Sequence, residues 1–141
     1  MQIRNEVLAR YRTIAVVGLS PREDRPSHEV AKYMQQHGYR IVPVNPALAG
    51  QTLLGEQCYG TLTDAAAALA DDNQEIEIVD CFRKSEDIGP IADEAIAIGA
   101  NCLWMQLGVT NADAAARAEH AGLIVVMNRC IKIDHMHSLA L

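Results

Sequence analysis

Aromatic residues are scarce in this 141-residue chain, which has one Trp, one Phe and four Tyr, 4% in all. Lysine is scarcer still: Lys32, Lys84 and Lys132 are too few for a polybasic membrane patch. Twelve Lys and Arg stand against 18 Asp and Glu, a net charge of −6. That balance disfavours broad nucleic-acid binding, which needs many phosphate-neutralising side chains. No apolar run approaches the roughly 20 residues of a membrane-spanning helix. The opening Met1-Gln2-Ile3-Arg4-Asn5-Glu6 lacks the apolar core of a signal peptide. Cys58, Cys81, Cys102 and Cys130 form no Cys-x-x-Cys pair, and three of them lie in or beside apolar runs. The expectation is buried, reduced thiols in a cytoplasmic protein. A chain of this length, 50% hydrophobic, is expected to form one domain over 1–141 without disulfides or metals.

What is present is alternation. Apolar runs at 13–18, 40–44, 76–81, 102–105 and 123–127 are separated by helix-like stretches. Most runs are continuously hydrophobic, as strands covered on both faces of a parallel sheet must be. The run Ile76-Glu77-Ile78-Val79-Asp80-Cys81 alternates instead, so one of its sides is expected to face solvent or a groove. Ser27 to His37 places Val30, Ala31 and Met34 on one helical face. Ser85 to Ile98 reads as a helix capped by Ser85, with Glu86 and Asp87 at the positive end of its dipole. Asn111 is placed to cap a helix carrying Ala114, Ala115 and Ala118, and a shorter helix starts near Thr63-Asp64. Gly38, Gly99 and Gly122 each fall between a helix and the next strand, where a left-handed residue turns the chain back. With a first helix ahead of these units and a last one near 131–139, the pattern predicts an α/β fold. The sheet is doubly wound and Rossmann-like, mainly parallel, of five or six strands with helices on both faces. Residues 46–60 are the least regular, with one short strand expected at Cys58-Tyr59.

Ligands of such sheets bind outside the carboxyl ends of the strands. After the first strand comes Gly18-Leu19-Ser20-Pro21-Arg22-Glu23-Asp24-Arg25-Pro26-Ser27-His28, running into a helix whose first N–H groups lack partners. Ser20 and Ser27 offer hydroxyls and Arg22 and Arg25 offer cations, so an anion is expected here. Gly18, Pro26 and Ser27 also suit any strand–turn–helix. The loop is neither a G-x-G-x-x-G fingerprint, since Ser20 and Glu23 replace glycines, nor a Walker loop. Where an NAD site wants an acid at the end of the second strand, the chain reads Val44-Asn45-Pro46. The ligand inferred is a nucleotide diphosphate other than NAD. Phe82, Arg83 and Lys84 gather at a third loop: Phe82 either covers an adenine or packs in the core, and Arg83 either meets phosphate or is solvated. Gln106 and Gly108 sit at the same rim, in what is otherwise an ordinary strand-to-helix turn.

Taken in order, Val16-Val17-Gly18-Leu19-Ser20-Pro21, Gly38-Tyr39-Arg40-Ile41-Val42-Pro43-Val44-Asn45-Pro46, Asp80-Cys81-Phe82-Arg83, Trp104-Met105-Gln106-Leu107-Gly108-Val109 and Val126-Met127-Asn128-Arg129-Cys130-Ile131 resemble the small stand-alone CoA-binding proteins. These are similar to the N-terminal CoA-binding domain of the succinyl-CoA synthetase α-subunit. The set spans nearly the whole chain. The resemblance implies coenzyme A as ligand, with Gly18, Ser20, Pro21, Arg25 and Ser27 at its phosphates. It places Asn45 and Pro46 at the ribose, Phe82 and Arg83 beside the adenosine, and Gln106 on the rim. It implies no reaction: the phosphorylated His of the synthetase lies in a second domain, and no ATP-grasp partner is encoded here. A binding module for CoA or an acyl-CoA is therefore expected. The alternatives are an NAD(P)-dependent Rossmann enzyme, or a subunit of a split acyl-CoA synthetase with catalysis in trans. Oligomeric state is left open.

Other constellations are weaker. His28 is the best candidate acid or base, though a solvated surface histidine is the expectation. Asp134-His135-Met136-His137 lacks a companion zinc motif, and alternate positions diverge on a helix. Ser20 fails the Gly-x-Ser-x-Gly elbow at Arg22, and Asp80 has no second carboxylate at a neighbouring offset. Cys130, between Arg129 and Lys132, has the most cationic surroundings of the four thiols, which favours thiolate, and a mixed disulfide with CoA is chemically open to it where the pantetheine arm runs toward it. A packed thiol near a turn is the plainer expectation.

Overall fold

The computed structural model describes residues 3–140. Helix α1 (Ile3–Arg10) leads into β1 (Thr13–Val17), α2 (Pro26–Gln36) and β2 (Arg40–Val44). A small hairpin of β3 (Thr52–Leu53) and β4 (Glu56–Gln57) precedes α3 (Leu62–Ala70) and β5 (Ile78–Cys81). Then follow α4 (Ile88–Ala97), β6 (Cys102–Met105), α5 (Ala112–His120), β7 (Ile124–Val126) and α6 (Ile131–Ser138). The five long strands form one parallel sheet in the order β2-β1-β5-β6-β7. β1 therefore sits between β2, reached by a crossover on one side, and β5, from which the chain winds the other way. The switch point lies between the carboxyl ends of β1 and β5.

Side-chain alternation along each strand divides the core into two. Ala15, Val17, Val42, Val44, Val79, Cys81, Leu103 and Met105 pack under α3, α4 and α5. Ile14, Val16, Ile41, Ile78, Cys102, Trp104 and Val126 pack under α1, α2 and α6. Both faces are covered, so the strands read as unbroken hydrophobic runs. The joints at Gly38, Gly99 and Gly122 take the left-handed conformation, with φ of +91°, +76° and +96°. Among the described residues no helix is long and apolar enough to cross a membrane.

Local expectations needed correction in four places. β5 is not open on one side: all four of its residues are buried, Asp80 included, because α1, α2 and α6 cover the face that Asp80 shares with Ile78, and α3, α4 and α5 cover the other. The stretch 85–98 is two pieces, a 3-10 turn at Ser85–Asp87 and then α4, and Ser85 does not cap it. The Ser85 hydroxyl oxygen accepts instead from the Thr110 N–H across the molecule, at 2.9 Å. The strand expected at Cys58-Tyr59 is a single parallel bridge from Tyr59 to Val44, with the hairpin just ahead of it. The helix expected from Thr63-Asp64 starts at Leu62, with Thr61 as its cap.

Candidate functional site

Two loops meet at the switch point. Gly18 ends β1 at φ +91°, and its N–H donates to Val44 O at 2.8 Å. The Phe82 N–H donates to Val17 O at 2.9 Å, drawing the loop after β5 against it. A Cβ on Gly18 would lie 2.4 Å from the Phe82 carbonyl oxygen, so glycine is required by the close approach as well as by φ.

The long loop from Gly18 to α2 is held by its own polar groups. The Ser20 N–H donates to Ser27 Oγ at 3.0 Å, and His28 Nδ1 lies 3.0 Å from Ser20 O. The Ser20 hydroxyl oxygen accepts from the Arg22 N–H at 3.1 Å. Both serine oxygens are thus committed as acceptors, while their hydroxyl protons remain for an anion. His28 is only 8% exposed, which corrects the expectation of a solvated histidine: it closes the loop onto the first turn of α2. Arg25 occupies the N-cap position with no side-chain cap, and Pro26 supplies the first helical residue. Arg22 is turned to Asp24, both largely exposed.

Asn45 joins this loop to the end of β2. Its Nδ2 donates to Leu19 O at 3.1 Å and its Oδ1 accepts from the Ala47 N–H at 3.0 Å. One Nδ2 proton is left for a ligand, so Asn45 is foremost a brace between the two loops. Pro46 opens an exposed 3-10 turn next to it.

The rim encloses a cleft of about 690 Å³. Of the ten residues singled out from sequence, Gly18, Asn45, Phe82, Arg83 and Gln106 line it. Ser20 and Ser27 shape the loop behind it, and Pro21, Arg25 and Pro46 are exposed around it. Sequence reasoning missed an apolar wall from Val30, Leu107 and Ile133, which Cys130 joins. Leu107 is 68% and Ile133 45% exposed, a large apolar surface for positions outside the core. The one signal was Leu107 itself, an apolar residue in a polar turn. Arg83 stands 3.9 Å from Asp87, an exposed i,i+4 pair of little weight, and Lys84 adds a second cation. Cys130 is half-buried on the cleft wall, but its cationic neighbours turn away: Arg129 to Asp134 at 2.7 Å and Lys132 to Glu29 at 2.9 Å.

The least ordinary group lies behind the cleft-lining Gln106. Asp80 is 1% exposed, and Oδ1 accepts from Gln106 Nε2 at 2.6 Å. Burial lifts its carboxyl to about 7, opposed only by that hydrogen bond. Burial and the Asp80 charge also raise the Cys81 and Cys102 thiols, which stay protonated.

A larger groove of about 1290 Å³ lies between α1, α6 and the end of α2, reaching Arg12 and Tyr39 at the amino ends of β1 and β2. Asp134 borders it, paired with Arg129 and, at 3.2 Å, with Arg4. His135 is buried there, with Nδ1 2.8 Å from the Tyr33 hydroxyl, and burial beside His37 and Arg12 lowers its pKa. Its position off the carboxyl ends makes it second to the switch-point cleft as a ligand site, despite its size.

Residues 12–136 match the family described as CoA binding domain. The uncharacterized protein YneT of Bacillus subtilis is 39% identical over 130 residues, covering 92% of this chain and 90% of that one. A hypothetical protein from Pyrococcus horikoshii superposes with TM-score 0.86 at 38% identity, over 97% of this chain and 90% of that one. A Thermus thermophilus structure does so with TM-score 0.83 at 30% identity, over 94% of each chain. A Rex-family repressor solved with NADH shares the fold alone, at 14% identity and TM-score 0.59, over 94% of this chain and 60% of its own. A parallel α/β sheet, a cleft at its switch point and a match across nearly the whole length agree: the chain belongs to the CoA-binding domain family.

Proposed function

We propose that this protein binds coenzyme A or an acyl-CoA in the switch-point cleft, leaving acyl chemistry to a partner enzyme. The observation that carries this reading is the position of the cleft. It opens where the first amides of α2, the serine-braced loop and Arg83 converge, a combination that suits a diphosphate. On this reading the phosphates lie between the 18–27 loop and Arg83, with the adenosine near Asn45, Pro46 and Phe82. The apolar wall of Val30, Leu107 and Ile133 takes the pantetheine arm. Arg25, exposed and at the helix N-cap, contributes charge from the rim.

Calorimetry of the reduced protein with CoA, dephospho-CoA, ADP and NADH tests it. CoA is expected to bind most tightly, dephospho-CoA more weakly, and Arg25→Ala to lose affinity about three- to tenfold. Heat with NADH and none with CoA would reverse the assignment in favour of a redox ligand.

A further inference from the structure

Behind the cleft-lining Gln106 lies a carboxyl buried in the sheet. Asp80 stands in the middle of the sheet, opposite Val16 of β1 and Trp104 of β6. Among the described residues its carboxyl accepts from Gln106, the next residue after β6, which is 4% exposed and lines the cleft. A carboxylate can only accept, so an ionised Asp80 obliges the Gln106 amide to turn Nε2 inward. That leaves Oε1, an acceptor, as its remaining polar atom toward the cleft. A protonated Asp80 can donate instead, and the amide is then free to turn over and present its NH2.

We propose that Asp80 is a positioning residue which sets the face that Gln106 shows to a ligand: an acceptor when Asp80 is a carboxylate and a donor when it is protonated. The inference rests on the cleft being the binding site. It assigns the ligand group above Gln106 an N–H or O–H at alkaline pH, a demand that the amide-rich arm of CoA meets. Around Asp80 the titratable neighbours are the thiols of Cys81 on its own strand and Cys102 on β6, both held protonated by burial. β1 contributes Val16, and the cleft-lining residues of α2, Pro26 and Val30, carry no charge. α6 contributes Ile133, with Cys130 just ahead of it, while Arg83, Lys84 and Asp87 stand on the cleft wall. The carboxyl therefore titrates near neutrality, at about 7, without a compensating cation.

Two measurements on the full chain decide it. In nitrogen-15 spectra of the free protein, the Gln106 side-chain NH2 signals, assigned through Gln106→Met, are expected to shift through a midpoint near neutral pH. Asp80→Asn should abolish that shift and leave other side-chain amides as they were. A Gln106 signal that does not move with pH overturns the proposal, whatever the ligand. In calorimetry at pH 6 and pH 8, the ratio of CoA affinities is expected to differ between the parent and Asp80→Asn by about three- to tenfold. Comparing ratios cancels the titration of CoA itself and of surface groups. Identical ratios would also overturn it. Should Asp80→Asn fail to fold, Gln106→Met, which leaves Asp80 in place, is expected to shift the ratio in the same way. Absence of CoA binding by the parent strikes the proposed function alone, and the spectra still decide the pairing.

Discussion

Asp80 makes stability depend on pH in a direction opposite to that of most carboxylates. Its pKa rises from 3.8 in the ordinary case to about 7 in the folded chain. Between those values the folded state holds a proton that the unfolded state has lost, so stability falls as pH rises through that window and levels off above it. At ~1.4 kcal/mol per unit the cost amounts to about 4 kcal/mol at pH 8. Asp80→Asn removes the ionisation and keeps the shape. Thermal denaturation should therefore find the variant more stable than the parent at pH 8 and little changed near pH 4. A variant less stable at pH 8 would mean that the charged hydrogen bond outweighs burial. This behaviour was not legible from sequence: the mixed polar and apolar pattern of 76–81 suggested an open face, whereas Asp80 shares its buried side with Ile78. The covering helices lie tens of residues away along the chain, and nothing near Asp80 announces them. Gly18 is the contrary case. A glycine closing a strand before a long loop is readable, although the Phe82 carbonyl that forbids a side chain there is not.

Among the elements, caps separate what is local from what is not. Asn111 was identified as a cap from its place before an alanine-rich stretch, and its Oδ1 accepts from the Ala114 N–H at 3.0 Å. Its Nδ2 also donates to Ser85 O at 2.9 Å, tying α5 to the turn before α4. Asn111→Ala is thus expected to cost at least ~1 kcal/mol in chemical denaturation, with faster amide exchange in the first turn of α5. A loss near zero would show that water replaces both bonds. Ser85 had the same local credentials, a small hydroxyl residue followed by two acids, yet its oxygen serves Thr110. The difference is tertiary: α4 begins three residues later, and the hydroxyl lies nearer the 106–111 loop than the helix it precedes. Strand identity was legible for the same reason that Asn111 was, since buried parallel strands carry their signal in consecutive residues. The cleft was legible as three loops, and its apolar wall was not, because Val30 and Ile133 belong to helices whose inward and outward faces only the packing defines.

At the scale of the whole molecule, α1 and α6 lie on the same side of the sheet, and one acid joins them. Asp134 in α6 has a side chain only 4% exposed, held by Arg129 at 2.7 Å and by Arg4 of α1 at 3.2 Å. Arg129 approaches from the turn after β7 with both Nε and Nη2, a forked geometry that fits a carboxylate. The Arg129 carbonyl in turn accepts from Trp104 Nε1 at 2.8 Å, which fixes that turn to the centre of the sheet. The segment that invited a metal reading therefore directs its acid to two arginines and its His135 to Tyr33. Removing Asp134 breaks charged hydrogen bonds to both arginines, but Arg4 and Arg129 keep 24% and 40% of their side chains in solvent, so the loss is about 1–3 kcal/mol. Asp134→Ala should then lower the melting temperature by roughly 3–10 °C in a domain of this size. Hydrogen exchange should rise first in α1 and α6, while the strands keep their protection until global unfolding. Because Cys130 and Ile133 bound the cleft on this side, the same variant should also weaken ligand binding, through a looser α6. An Asp134→Ala protein that melts with the parent and exchanges like it would show that helix packing alone, through Val7, Leu8 and Ile131, suffices to hold the two helices together.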